Sequence, residues 1–428
     1  MSANYRDLFI GIDTPIPIEN GNTIVPINFD NEATTPPMKT ALNAIRENAL
    51  TYGPIARGAG YKGELCTQKY EEAREAILEF FNLKGNSDYT VIYTKTTTES
   101  LNILANVLIK SKEDKVLTTR MEHHANDLPW RHSATVEYIE VDELGRIDLV
   151  DIKNALIANK GTIKYVSITG ASNVTGYMND IHGIAKLCHK YGAKIIVDGA
   201  QLVAHKEVDM KGKDKDEQID FLVFSSHKAY SPFGCGAIVG LTTELSNLEP
   251  YSRGGGCVDA VFDYDVIWNG PPTLLEAGSP NFLGIMAMVA SLEKLKKIGF
   301  DNIYSHEKEI KDYLISEMKK MPNVILYGDV ENTDDRLGVI TFNLKNMKYD
   351  KVSEKLANVG GIATRYAKFC AHTYVHRLLG VNDDRAYAVY SSAHQSRLSS
   401  PYGMVRVSLG LYNTMDEAKK FIDVLKTF

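Results

Sequence analysis

Short, continuously apolar runs alternate with helical patterning through the first two thirds of the chain. The runs Tyr89–Tyr93, Lys115–Thr119, Val136–Val141, Ile163–Thr169, Lys194–Val197, Phe221–Phe224 and Ala237–Val239 predict strands. Strands without strict alternation are buried on both faces, which points to a mostly parallel sheet covered by helices. Helical spacing over Glu99–Ile109, Leu149–Ala158 and Ile181–Tyr191 supplies crossovers between them. Further helices are predicted over Leu283–Ile298 and Ile303–Lys320. Shorter elements follow at Asn323–Leu326, Gly338–Asn343, Lys351–Ala357, Gly361–Thr364, Met404–Leu409 and Met415–Lys426. The expected fold is α/β, with a large domain of a mostly parallel seven-stranded sheet over 26–290 and a smaller α+β domain over 291–428. Residues 1–25 are expected to pack with the small domain. Residues 373–403 show no clear period and are predicted as an inserted loop.

Composition narrows the functional classes. Of 428 residues, 44% are hydrophobic and 24% charged, and the formal net charge is −6. That balance argues against non-specific binding to nucleic acid or an anionic membrane. No run approaches a membrane span, and the first residues lack a signal-peptide pattern. Five scattered cysteines without a Cys-x-x-Cys pair fit free thiols in a reducing cytoplasm better than a zinc site or a disulfide scaffold.

The chemistry is concentrated where predicted strands end. Phe221-Leu222-Val223-Phe224-Ser225-Ser226-His227-Lys228 delivers a lysine into a Gly/Pro/Ser turn. Such a lysine is placed to form a Schiff base with a cofactor aldehyde. Thirty residues upstream, Lys194–Val197 ends on Asp198, a carboxylate suited to keep the ring nitrogen of pyridoxal phosphate protonated. Taken alone, each is equally an ordinary α/β strand ending on a polar residue. In parallel sheets, however, ligands gather at the carboxyl ends of strands, where both residues fall. Thr96-Thr97-Thr98-Glu99 opens a helix after a strand, and offers either a phosphate cradle or a plain N-cap. His123, in Met121-Glu122-His123-His124, is placed to stack on a ring; adjacent histidines rarely point at one ion, so no metal is expected. Gln201 lies three residues past Asp198, within reach of the ring's phenolic oxygen.

In order and spacing, these runs resemble the class V, fold-type I pyridoxal phosphate enzymes of the cysteine desulfurase and selenocysteine lyase family, close to the SUF-type branch. Asn28-Phe29-Asp30-Asn31-Glu32-Ala33-Thr34-Thr35, Ser172-Asn173-Val174-Thr175-Gly176, Glu276-Ala277-Gly278-Ser279-Pro280-Asn281 and Arg406-Val407-Ser408-Leu409 extend the likeness over nearly the whole chain. The resemblance implies that Lys228 carries the cofactor and moves the substrate α-proton, that Asp198 pairs with the ring nitrogen, and that Gln201 and His123 contact the ring. It implies a phosphate site of Thr97, Thr98, Ser225 and His227, with Ser279 reaching it from the other subunit of a homodimer. Asn173 and Arg406 would bind the substrate carboxylate, with Arg365 at the mouth. Cys370, in Arg365-Tyr366-Ala367-Lys368-Phe369-Cys370, matches the loop cysteine that takes sulfur from L-cysteine as a persulfide and passes it to an acceptor protein. Cys257, after three glycines, has no matching role.

Three departures from the family pattern bear on the reaction. Glu32 replaces a small residue near the substrate position, Ala56 stands where SUF-type members often carry histidine, and Ala367-Lys368-Phe369 replaces Gly-His-His before the cysteine. They keep open another class V reaction, such as selenocysteine lysis, C–S β-lysis, epimerisation or transamination of a different amino acid.

Overall fold

A computed structural model describes residues 4–18, 21–55, 59–392 and 400–428; Ala56 lies outside them. The seven predicted strands form one sheet: β1 (Tyr89–Thr94), β2 (Lys115–Thr119), β3 (Thr135–Ile139), β4 (Ile163–Thr169), β5 (Lys194–Asp198), β6 (Phe221–Ser225) and β7 (Gly236–Leu241). Their spatial order is β1-β7-β6-β5-β4-β2-β3, and only β7 runs antiparallel to its neighbours. Period-2 geometry sends successive side chains to opposite faces. Thus Ile195 and Val197 join the core under helices Ile181–Tyr191 and Phe282–Ile298, whereas Ile196 joins Leu101, Leu104 and Trp130 on the other face. Covering both faces explains why the strands read as continuous apolar runs.

A second sheet follows: β8 (Val324–Leu326), β9 (Val339–Leu344), β10 (Arg365–Ala367) and β11 (Met404–Ser408), in the order β8-β9-β11-β10, all antiparallel. Ile340, Phe342, Val405 and Val407 pack beneath helices Phe300–Lys319, Tyr349–Gly360 and Met415–Leu425. Thr341 and Arg406, paired across β9 and β11, point the other way, toward the large sheet; Thr341 Oγ1 donates to the carbonyl of Val174. Gly176 sits in the left-handed region (φ +77°), and a Cβ there would come within 3.0 Å of Leu337 O. A side chain at 176 would therefore hold the two sheets apart.

Several elements escape the sequence reading. Helices Lys39–Ala49 and Tyr61–Phe80 lie against Phe282–Ile298. The predicted loop 373–403 begins as helices His372–Leu378 and Asp383–Ser392. Tyr374 and Val375 give the first a buried side, but it is too short to display a helical period. Among the described residues, no helix is long and apolar enough to cross a membrane.

Candidate active site

The carboxyl ends of β4, β5 and β6 lie side by side, with Thr169 opposite Asp198 and Asp198 opposite Val223. After Ser225 the chain makes a single 3₁₀ turn, Ser226–Lys228, which turns the lysine into the space above the strands. That turn is pinned from outside: Thr35 Oγ1 donates to His227 O at 2.9 Å, and Ser226 Oγ lies 2.7 Å from Cys235 O. Burial pushes the Lys228 ammonium down from its ordinary value, while Glu32 and Asp198 push it up. Burial likewise raises Asp198, whose Oδ1 accepts from Ala200 N at 3.0 Å.

Helix Thr97–Leu108 starts at the same end of the sheet, with Thr96 as its N-cap. Thr97 donates its amide to Ser225 Oγ at 2.6 Å, and the two hydroxyls lie 2.8 Å apart. The predicted anion cradle is therefore a joint between the helix start and β6, and Thr98 and His227 line the same space. His227 Nδ1 is 3.2 Å from Thr34 Oγ1.

His123 is held by a bond from Ala125 N to its Nδ1 at 3.1 Å. Burial pulls it down to about 3, so the ring is neutral. Beneath it, Glu122 accepts from Thr119 Oγ1 at 2.7 Å and from Asn126 Nδ2 at 2.6 Å. Asn126 Oδ1 accepts in turn from Trp130 Nε1 at 3.1 Å. Burial drives Glu122 up to about 8 despite these donors. The motif containing Glu122 was visible in the sequence, but its role as a buried acid was not.

Arg365 and Arg406 are direct partners across β10 and β11 and therefore share a face. Asp30 holds both, at 3.6 Å from Arg365 Nη1 and 3.0 Å from Arg406 Nη2. Arg406 also donates to Asn173 O at 2.9 Å. Sequence reasoning missed Asp30; its signal was a carboxylate two residues before Glu32 on a segment bridged to β11 at Ser408. Gln201 Nε2 donates to Glu32 O at 3.2 Å.

Cys370 is exposed, at the tip of a loop in which Ala367, Phe369 and Cys370 all have positive φ (91°, 51° and 55°). Left-handed backbone is unfavourable for residues with a side chain, so the loop must be held by its contacts. The Asn173 side chain donates to Phe369 O at 2.7 Å, and His124 N to Cys370 O at 2.7 Å. The Asn173 amide nitrogen, predicted to meet the substrate, is thus engaged with the cysteine loop. Lys368 is buried and bonded to Tyr390 of the inserted segment.

One cavity of about 210 Å³ gathers Lys228, Asp198, His123, Gln201, Asn173, Thr97, Thr98, Ser225, His227, Glu32, Arg365, Arg406 and Cys370. Ser279 lies apart, in a separate cavity with Tyr93, Lys95 and Glu276. Cys257 is buried, its Sγ 3.1 Å from Gly254 O. Among the described residues, no group of three or more His, Cys, Asp or Glu side chains is placed to hold a metal ion.

The family model "Aminotransferase class-V" matches residues 27–421. A probable cysteine desulfurase of Staphylococcus epidermidis is 34% identical over 407 residues, covering 93% of this chain and 91% of that protein. A counterpart from Staphylococcus aureus is 33% identical over the same share. The apo structure of a cysteine desulfurase from Thermococcus onnurineus superimposes with a TM-score of 0.82 at 29% identity, covering 94% of each chain. With a match spanning both sheets and the cavity between them, the chain belongs to the aminotransferase class V family, among its cysteine desulfurases.

Proposed function

We propose that this chain is a pyridoxal phosphate-dependent cysteine desulfurase, converting L-cysteine to L-alanine and carrying the released sulfur as a persulfide on Cys370. The observation that carries the reading is the meeting of Lys228, Arg406 and Cys370 around one cavity. A lysine able to hold an aldehyde, a guanidinium able to hold a carboxylate, and an accessible thiol are the three groups this reaction requires.

The cavity fits the cofactor. Hydroxyls of Thr97 and Ser225 meet at a helix start suited to a phosphate, and the neutral imidazole of His123 and the small side chain of Ala200 line the same cavity. Arg406 Nε and Glu32 Oε2 are buried without a hydrogen-bond partner. Buried polar atoms without partners are expensive unless a ligand satisfies them. Pyridoxal phosphate, when bound, supplies a sink for carbanion charge at the substrate α-carbon.

The protein residues then divide the work. Asp198, buried at the end of its strand, would hold the proton of the ring nitrogen. Lys228 would hold the aldehyde carbon, and its Nζ would then move the α-proton. Arg406, oriented by Asp30, takes the substrate carboxylate through its planar fork, and Arg365 stands at the entrance. Cys370, as thiolate, attacks the substrate sulfur: an S–S bond forms, the C–S bond breaks with its electron pair on the β-carbon, and protonation there gives the methyl of alanine.

The proposal includes a homodimer in the cytoplasm, with Ser279 directed to the partner's phosphate site, and an acceptor protein for the sulfur. The hairpin Val258–Trp268 supports a dimer through Val261, Phe262, Tyr264 and Ile267, all large, apolar or aromatic, and exposed. The direct test is borohydride trapping with peptide mapping, combined with Cys370→Ser. The cofactor label belongs on Lys228, and the variant retains cofactor absorbance but forms no persulfide and almost no alanine. Turnover of cysteine unchanged by Cys370→Ser overturns the reading.

A further inference from the structure

Glu32 is the cavity residue that the proposed reaction does not call for. It is 4% exposed, and its Oε2 has no hydrogen-bond partner. Its backbone is fixed from both sides of the cleft: Glu32 N donates to Ser408 Oγ at 3.0 Å, and Glu32 O accepts from Gln201 Nε2 at 3.2 Å. With its main chain tied to both domains, the side chain cannot leave the cavity by a simple loop movement. A buried carboxylate oxygen without a donor is costly. A purely structural acid would be expected to have bonded partners, as Glu122 and Glu307 do.

Its electrostatic surroundings are built for an anion. Burial, the largest influence, raises Glu32 and Glu307 adds to it, while His205, Arg406 and Lys228 favour its ionised form. His205 lies behind it and is itself held by Glu307, with Nδ1 2.8 Å from Oε2. Although burial opposes the imidazolium, Glu307 carries it up to about 9. The cation that supports Glu32 is therefore part of the protein and stays in place when a substrate arrives. Arg406 has the substrate carboxylate to bind, and Lys228 the cofactor. What remains unmatched on the cavity wall is the Glu32 carboxylate.

Resting on the amino-acid reading above, we infer that Glu32 is a specificity-determining residue. It favours an amino acid whose side chain ends in a hydrogen-bond donor or a positive charge, and rejects one whose side chain is anionic. L-Cysteine, with a neutral S–H donor, satisfies that filter; a side-chain carboxylate or sulfinate of similar size does not. Like charges brought together in a poorly screened cavity repel strongly, so the filter acts mainly by exclusion.

The test uses the cofactor-loaded protein and three amino acids of similar size: L-aspartate, L-asparagine and L-2,4-diaminobutyrate. Their affinities are read from the visible absorbance of the cofactor and by competition with L-cysteine. In the unmodified protein, L-aspartate binds at least tenfold more weakly than L-asparagine, and L-2,4-diaminobutyrate at least as tightly. In Glu32→Gln the aspartate–asparagine gap closes to below threefold, and the preference for the cation disappears. Glu32→Ala gives the same levelling by a route that leaves no polar group, so misfolding of one variant leaves the other to decide. An equal ranking in all three proteins, or binding of none of the three ligands, overturns the inference. Alanine formation from cysteine is measured separately: its absence defeats the desulfurase reading, whereas the ranking by side-chain charge is scored on ligand binding alone.

Discussion

Glu122 is a buried acid held neutral near neutral pH, and replacing it by glutamine isolates the consequence. An ordinary glutamate has a pKa of 4.5, and burial drives this one up to about 8. Between those values the folded chain retains a proton that the unfolded chain releases. Unfolding then becomes easier as pH rises, by about 1.4 kcal/mol per pH unit. From pH 5.5 to 7.5 that amounts to about 3 kcal/mol, and the loss levels off once pH passes the folded value. At about 2.1 cal/mol/K per residue, a chain of 428 residues has an unfolding entropy near 0.9 kcal/mol/K, so the expected fall in melting temperature is about 3 °C. Glutamine mimics the protonated acid. Its carbonyl oxygen accepts from Asn126 Nδ2, and its amide donates to Thr119 Oγ1 after that hydroxyl rotates. Scanning calorimetry of both proteins across this pH range gives the answer. Other titrating groups affect both proteins alike, so the difference between the two curves carries the Glu122 contribution: the variant gains about 3 °C on the parent as pH rises. Parallel curves would refute a protonated Glu122. The result bears on the site because the Asp198 charge is one of the causes that raise Glu122.

Two further outcomes follow from the same geometry. Arg74 and Glu276 form a buried two-pronged pair (2.9 and 2.6 Å), with Arg74 also over the rings of Tyr70 and Tyr93; Glu276→Leu strands the guanidinium and lowers stability by about 3–5 kcal/mol, while adding Arg74→Met restores only part of it, because Tyr70 Oη and Tyr93 N still lose their acceptor. A thermal double-mutant cycle measures the coupling, and purely additive losses would disprove it. Asn173→Ala removes the donor to Phe369 O, a loss of about 1–3 kcal/mol for a buried carbonyl, enough to release the left-handed cysteine loop. Single-turnover persulfide formation is expected to slow by about 10- to 100-fold with cofactor absorbance unchanged, and undiminished formation would show that the bond is dispensable.

What the sequence made legible, and what it left hidden, divides along a physical line. Lys228, Asp198, Thr97 and Ser225 could be located because parallel strands buried on both faces leave continuous apolar runs, and their carboxyl ends are where polar residues acquire meaning. All seven strands of the large sheet were recoverable for the same reason. Asp30 and His205 were not recoverable, because their importance depends on partners far away in the chain: Asp30 touches Arg406 across 376 positions and His205 touches Glu307 across 102. The inserted helices were missed because each is short and held by distant partners: the first through Tyr374 to Gly145 O, the second by contact of Tyr390 with Lys368 of the cysteine loop. Ser279 illustrates the complementary limit: its motif is plain in the sequence, yet within one chain it lines a different cavity. Local pattern therefore identifies the groups proposed to anchor the cofactor, while long-range pairing sets the charge around the cavity. The Glu32–His205–Glu307 series belongs to the second kind. It runs from the cavity through His205 of the large domain to Glu307 on helix Phe300–Lys319 of the small domain, and a small residue at position 32 would leave His205 and Glu307 paired with each other and the cavity wall without its anionic group. On the inference drawn for Glu32, specificity turns on one residue within a motif that otherwise reads as the family's own.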